Sequence, residues 1–228
     1  TTAERPEFGL PSGSVGGWVE LGRTTLGSAG DTIPVASLTD KRYYMVLLNN
    51  LPTGTTDANI RLNTDTGTNY AYRYSIDGAA DGSNTSRTAG LVSAGGSTTT
   101  PEFAVSYFAN LNTKEKLWIS HLVEQKTAGA GTAPRRIETV SKHAQTTNPI
   151  STIDVINGGA GSFNTGSEVV VLGWDPADTH TTNFWEELAS VNASGSTTSF
   201  DTGTFTAKKY LWIQYYAKAT GNATLRMG

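Results

Sequence analysis

Ten short segments of this chain alternate apolar with polar or β-branched residues, and nearly all are closed by runs rich in Gly, Asp, Asn or Thr. They read "WVELGRTTL", "DTIPVA", "RYYMVLLNN", "NIRLN", "NYAYRYSI", "EFAVSYFANL", "KLWISHLVEQ", "RRIETVSKHA", "STIDVING" and "SEVVVLGW". Between them lie "LPTGTTD", "NTDTGT", "DGAADGSN", "KTAGAGTAP" and "NGGAGSFNTG". Short strands spaced about 8–12 residues apart, with no 3.6-residue period, predict an all-β fold built as an antiparallel β-sandwich. About ten strands suggest two packed sheets of jelly-roll type, with strand order left open. "WEEL" at 185–188 is the one helix-like fragment, and its counterpart "WVEL" fits a strand better.

Composition supports strands and excludes several chemistries. Thr, Ser, Gly and Asn are abundant while Lys and Glu are scarce, a mixture that disfavours helix and favours tight turns. The chain has no cysteine, which rules out disulfides, zinc-thiolate sites and thiol catalysis. A net charge of −3 gives no footprint for a nucleic-acid backbone. No apolar run reaches the roughly 18–20 residues that a membrane-spanning helix needs. The first residue is Thr, so removal of an upstream segment is expected.

The chain also repeats itself. Trp18 and Trp185, Glu20 and Glu187, Leu21 and Leu188, Lys41 and Lys208, and Tyr43 and Tyr210 all stand 167 positions apart (210 − 43). "ANIRLN" (58–63) then meets "ATLRMG" (223–228) at 165 (226 − 61). A gapless frame that keeps Trp, Glu-Leu and a basic-basic-Tyr indicates duplication. The organisation expected is an extended arm over 1–17, a sandwich unit over 18–174, a linker over 175–183 and a partial second copy of four strands over 184–228.

So short a second copy buries too little surface to hold its own core. Its strand "YLWIQYY" is apolar on both faces: Leu211, Ile213 and Tyr215 on one, Tyr210, Trp212 and Tyr216 on the other. A strand apolar on both sides is usually covered on both sides, and wetting these rings would forfeit several kcal/mol at about 25 cal/mol per Å2. Three sources of cover are open: further chain beyond the printed sequence, the first unit, or another subunit through strand exchange or edge addition. The interface expected in the third case is carried by Trp185, Tyr210, Leu211, Trp212, Ile213, Tyr215 and Tyr216.

Residues that could carry chemistry form no convincing constellation. His121, His143 and His180 lack metal-ligand spacing, and no GxSxG elbow accompanies them. Asp77-Gly78 and Asp81-Gly82 read as turn dipeptides rather than a glycosidase pair, as Asp175 with Asp178 and Glu186 with Glu187 do not form one either. Asn63, Asp65 and Gly67 faintly suggest a calcium loop, although a hairpin turn accounts for them better. Trp18, Trp118, Trp174, Trp185, Trp212 and "YAYRY" (70–74) could stack on sugar rings, but core or interface packing is the favoured role. Asn84, Asn192 and Asn222 sit in sequons that a Thr-rich chain generates readily.

Taken together, "WVELGRTTLGSAGDTIPVASLTDKRYYMVLL", "LNTDTGTNYAYRYSIDGAAD", "KTAGAGTAPRRIE" and "GSEVVVLGWDP" resemble β-rich structural proteins predicted in tailed phages of marine origin. The resemblance covers nearly all of 18–174 and restarts at 185. It implies a virion role such as capsid decoration, tail or fibre component, with no catalytic residue and no cofactor. The expectation is a non-enzymatic structural protein, at a virion or other extracellular location, joined to itself or to other virion proteins by burial of strand edges and aromatic faces. A carbohydrate-binding or receptor-binding module for surface glycans, and a cell-surface filament subunit, are the alternatives.

Overall fold

Period-two alternation and β-branching produce strands along the first three-quarters of the chain in this computed structural model, which describes residues 17–94, 99–175, 188–189, 191, 197–213 and 225. The strands are β1 (Val19–Thr25), β2 (Thr32–Val35), β3 (Tyr43–Asn50), β4 (Ala58–Leu62), β5 (Tyr70–Ile76) and β6 (Gly82–Arg87). They continue as β7 (Gly90–Leu91), β8 (Glu102–Ala109), β9 (Lys116–Glu124), β10 (Arg135–His143), β11 (Ile153–Asn157) and β12 (Glu168–Trp174). All ten expected strands form. β6 and β7 are additions, and no helix occurs among the described residues. Two compact units divide the chain, Thr1–Trp185 and Glu186–Gly228.

In the first unit every strand pair is antiparallel. One sheet has eight strands in the order β1-β12-β3-β8-β9-β10-β5-β6, and the other has four in the order β2-β11-β4-β7. The fold is an all-β sandwich. With the hairpins β5–β6 and β9–β10 left out, the other strands pair in nested order: β1 with β12, β2 with β11, β3 with β8, and β4 with β7. Both hairpins extend the larger sheet beyond β8.

The core is a single cluster fed by both sheets. Tyr44, Val46, Leu48, Phe108, Trp118, Val169 and Val171 come from the large sheet, and Ile33, Val35, Ile60, Leu62, Ile153 and Val155 from the small one. Buried rings anchor it: Trp118 stacks on Phe108 at 5.1 Å and meets Tyr70 edge-on at 6.4 Å. Turn chemistry follows the sequence. Asp77 and Gly78 both have positive φ, 52° and 78°, and Ala79 N donates to Ile76 O at 2.9 Å, the geometry favoured in hairpins. β2 carries Pro34 at the sheet margin, where a missing N–H breaks no ladder.

In the second unit the described stretch 197–213 contains no strand. At the 167-residue offset it corresponds to residues 30–46, which hold β2 and the start of β3.

Candidate functional site

Strand alternation gives the eight-stranded sheet an inner face, packed on the small sheet, and an outer face. On β9 the division is strict: Lys116, Trp118, Ser120, Leu122 and Glu124 are buried, while Leu117, Ile119, His121 and Val123 are exposed. A half-solvated strand normally puts its polar residues outside. Here that order is partly inverted: Leu, Ile and Val lie outside beside His121, while Lys, Ser and Glu lie inside with Trp118 and Leu122.

The register extends this inversion across the sheet. Leu172, Met45, Tyr107, Ile119 and Val140 are successive cross-strand partners. One row along run Trp174, Tyr43, Ala109, Leu117 and Lys142. Exposure is 43% for Tyr107, 53% for Leu117, 45% for Ile119, 44% for Val123 and 51% for Val140. Over β12 and β3 the outward Met45, Leu47, Val170 and Leu172 are buried, although they lie outside the core between the sheets. The outer face is therefore covered at one side and bare at the other. Over the bare side lies a shallow concavity of about 760 Å3, lined by Tyr43, Tyr107, Leu117, Ile119 and Val140, with Arg73 and Asn84 at its β5–β6 margin.

Charges at this face are matched within the chain. Lys142 pairs with Glu115 at 2.9 Å, Arg73 with Asp81 at 3.5 Å and Arg136 with Glu138 at 3.9 Å. At the β12 side Tyr43 stacks on Trp174 at 5.3 Å, Trp18 lies 6.4 Å from Trp174, and the Arg42 guanidinium sits 5.9 Å over the Tyr43 ring.

The interface residues expected from sequence are described only in part. Trp185, Tyr215 and Tyr216 lie outside the described residues. Tyr210, Leu211, Trp212 and Ile213 belong to no strand; Tyr210 is half-buried with the Lys209 ammonium 5.9 Å from its ring, and the other three are exposed. The aromatics considered for sugar stacking are dispersed: Trp118 and Tyr70 are core, Trp18 and Trp174 sit together at the sheet margin, and Tyr72 and Tyr74 are half-buried neighbours at 6.2 Å.

Titratable groups form local structural bonds. His143, buried, shares a hydrogen bond of 2.8 Å with Asp65 and stacks on Tyr70 at 4.3 Å. Asp65 also accepts from Gly67 N and Asn69 Nδ2, and His143 foremost holds its carboxyl below the usual range. Asn63 Oδ1 accepts from Ser151 N and Thr152 N. The oxygens of the calcium-like loop thus face protein donors, as a turn requires, and no group of three metal-ligating side chains occurs among the described residues. His121 is exposed on the outer face, and His180 lies outside the described residues. Asp77 Oδ1 accepts from Arg136 N at 2.8 Å, a loop-fixing bond.

One polar cluster went unread in the sequence. Glu102 and Glu124 are direct cross-strand partners at the ends of β8 and β9, and both are buried. Arg135 donates to Glu124 Oε2 at 3.1 Å and to Ala94 O at 2.7 Å. Burial pushes the Glu102 carboxyl up to about 7. "PEFAV" and "LVEQ" put each Glu at a strand end, where solvation is the ordinary expectation.

No family model, curated protein or solved structure matches this chain.

Proposed function

We propose that this chain is a non-enzymatic structural protein of a virus particle or a similar extracellular assembly, in which the outer face of the eight-stranded sheet packs on the same face of a second copy. One observation carries the reading: Tyr107, Leu117, Ile119 and Val140 form a contiguous exposed apolar patch on regular strands. Monomeric proteins rarely expose such patches, and large ones mark interaction surfaces.

Charge favours a like partner. The bare part of the face, five strands about 4.8 Å apart and about 8 residues long, offers roughly 600 Å2, a modest interface beside the standard one of about 800 Å2 per partner. Because the surrounding charges are paired within the chain, a second copy meets no like-charge repulsion, and an oppositely charged partner finds little to attract it. A two-fold contact between identical sheet faces is self-complementary. The nested strand pairing supports reading the sandwich as a jelly roll with two inserted hairpins, an architecture used by capsid and lectin domains. That supports a virion-type role over a filament subunit.

A second reading, a glycan-binding module, draws support from Tyr43 and Tyr107 beside Arg73 and Asn84 in the concavity. Sedimentation velocity over a range of concentrations tests the first reading. Wild type is expected to self-associate, and Ile119→Glu to weaken association at least about tenfold, because a buried unpaired carboxylate costs about 2 kcal/mol or more. A wild-type monomer throughout, or an Ile119→Glu oligomer unchanged from wild type, overturns it. Glycan binding that is lost in Tyr107→Ala would establish the second.

A further inference from the structure

The cluster at the ends of β3, β8 and β9 carries one carboxylate too many for its cation. Glu102, 2% exposed, and Glu124, fully buried, stand directly opposite each other. Arg135 pairs with Glu124, and a second of its N–H groups donates to the Ala94 carbonyl. Thr100 Oγ1 donates to Glu124 Oε1 at 3.4 Å. Glu102 has a different partner: Asn50 Nδ2 donates to Glu102 Oε2 at 2.8 Å and to Thr56 Oγ1 at 3.0 Å.

Those two bonds use both hydrogens of the Asn50 amide and fix its orientation. They leave Asn50 Oδ1 and Glu102 Oε1 buried with no hydrogen-bond partner among the described residues. Both orphans are acceptors if Glu102 is ionised, and no donor serves either.

We propose that Glu102 is a proton-binding site: in the folded chain it is a neutral carboxylic acid whose Oε1–H donates to Asn50 Oδ1, closing a two-bond ring with the Asn50 amide. The ring matches a carboxylic acid to a primary amide, donor to acceptor on both edges. The proton also balances the local count, leaving the Glu124–Arg135 pair beside a neutral neighbour. Burial is the foremost cause that holds the Glu102 carboxyl near 7, followed by the opposing bond from Asn50, with Glu124 raising it, Arg135 lowering it and Asp57 raising it. Folding therefore takes up a proton where the unfolded chain has released it.

The stability consequence has a definite sign. A carboxyl held above its unfolded value of 4.5 contributes fully below that value, and the contribution is lost as pH climbs to about 7. Asp65 acts oppositely: its lowered carboxyl contributes above its ordinary value of 3.8 and loses that as pH falls. The window from about pH 5 to about pH 8 isolates Glu102 from Asp65.

Glu102→Gln keeps the ring, with an amide N–H in place of the acid O–H, and removes the titration. Urea unfolding of the wild-type chain is expected to show stability falling across that window, with the variant following a flatter course. Near pH 8 the folded-to-unfolded ratio should favour Glu102→Gln by about tenfold or more, and near pH 5 the two should converge. Infrared spectra near pH 6 should contain a protonated-carboxyl C=O band in wild type that is missing in the variant. A variant less stable than wild type across the whole window overturns the proposal. Should the variant fail to fold, the wild-type infrared titration decides alone: a band that bleaches as pH rises through about 7 supports the site, and its absence near pH 6 sinks it.

Discussion

At Gly90 an added methyl would lie 2.0 Å from Trp118 Cζ2 and 2.7 Å from its Cη2. The indole has nowhere to go: Phe108 stacks on one side, Tyr70 meets its edge, and the side chain is 3% exposed. Gly90→Ala is therefore expected to cost about 1–3 kcal/mol, the range for overpacking a dense core. A lower urea midpoint at unchanged slope would show it; an unchanged midpoint would mean the ring shifts freely and the core is looser than drawn. The neighbouring tyrosines follow the same logic of satisfied burial. Tyr44 OH accepts from Lys41 N and donates toward the carbonyls of Thr39 and Ile150, while Tyr70 OH accepts from Leu62 N. Burial pushes both phenols up to about 12, so they stay neutral hydrogen-bonding groups over the whole physiological range.

Strands of the large sheet differ in how firmly they are held. β3, β8, β9, β10 and β12 have hydrogen-bonded neighbours on both sides, whereas β6 has β5 alone and is mostly exposed. Amide exchange is expected to be slowest in β3 and β8 and at least about tenfold faster in β6; equal protection of β6 would point to cover that the sheet order does not supply. The same contrast explains what sequence could say. Strands with an apolar period announced themselves, from "YYMVLLNN" to "EVVVLGW", because alternation and β-branching are local properties. "GSNTSR" has no apolar residue and follows a Gly-Asp-rich turn, so nothing local marks it as a strand; cross-strand bonds to β5 make it one. β7, two residues long, is defined only by β4. The phase of β9 was equally hidden. "KLWISHLVE" is apolar on both faces, and only the packing of Trp118 and the partners of Lys116 and Glu124 decide which face turns inward. Lys116 Nζ donates to Leu111 O at 2.6 Å, and Glu124 takes Arg135. The exposed patch follows from that decision, so a sequence reading that rests the interface on Trp185, Tyr210, Leu211, Trp212, Ile213, Tyr215 and Tyr216 had no means to include it.

For the whole molecule the nested ladder sets what can be separated from what. β1 and β12 join residues 19–25 to residues 168–174, so the sandwich closes only when both ends of the first unit have met. Such non-local pairing predicts slow folding relative to helical domains. Among the described residues every member of the core cluster falls between Ile33 and Val171. A chain ended after Trp185 should therefore fold, and its association state separates the two possible interfaces. With the outer sheet face as the contact, the shortened chain keeps the sedimentation behaviour of the full one, and Ile119→Glu disrupts both alike. With Tyr210, Leu211, Trp212 and Ile213 as the contact, the shortened chain is monomeric at every concentration while the full chain still associates. The exposed apolar face supports the first result; the second would return the interface to the repeated "KKYLWIQYY" phrase and leave Leu117, Ile119 and Val140 without an assembly role.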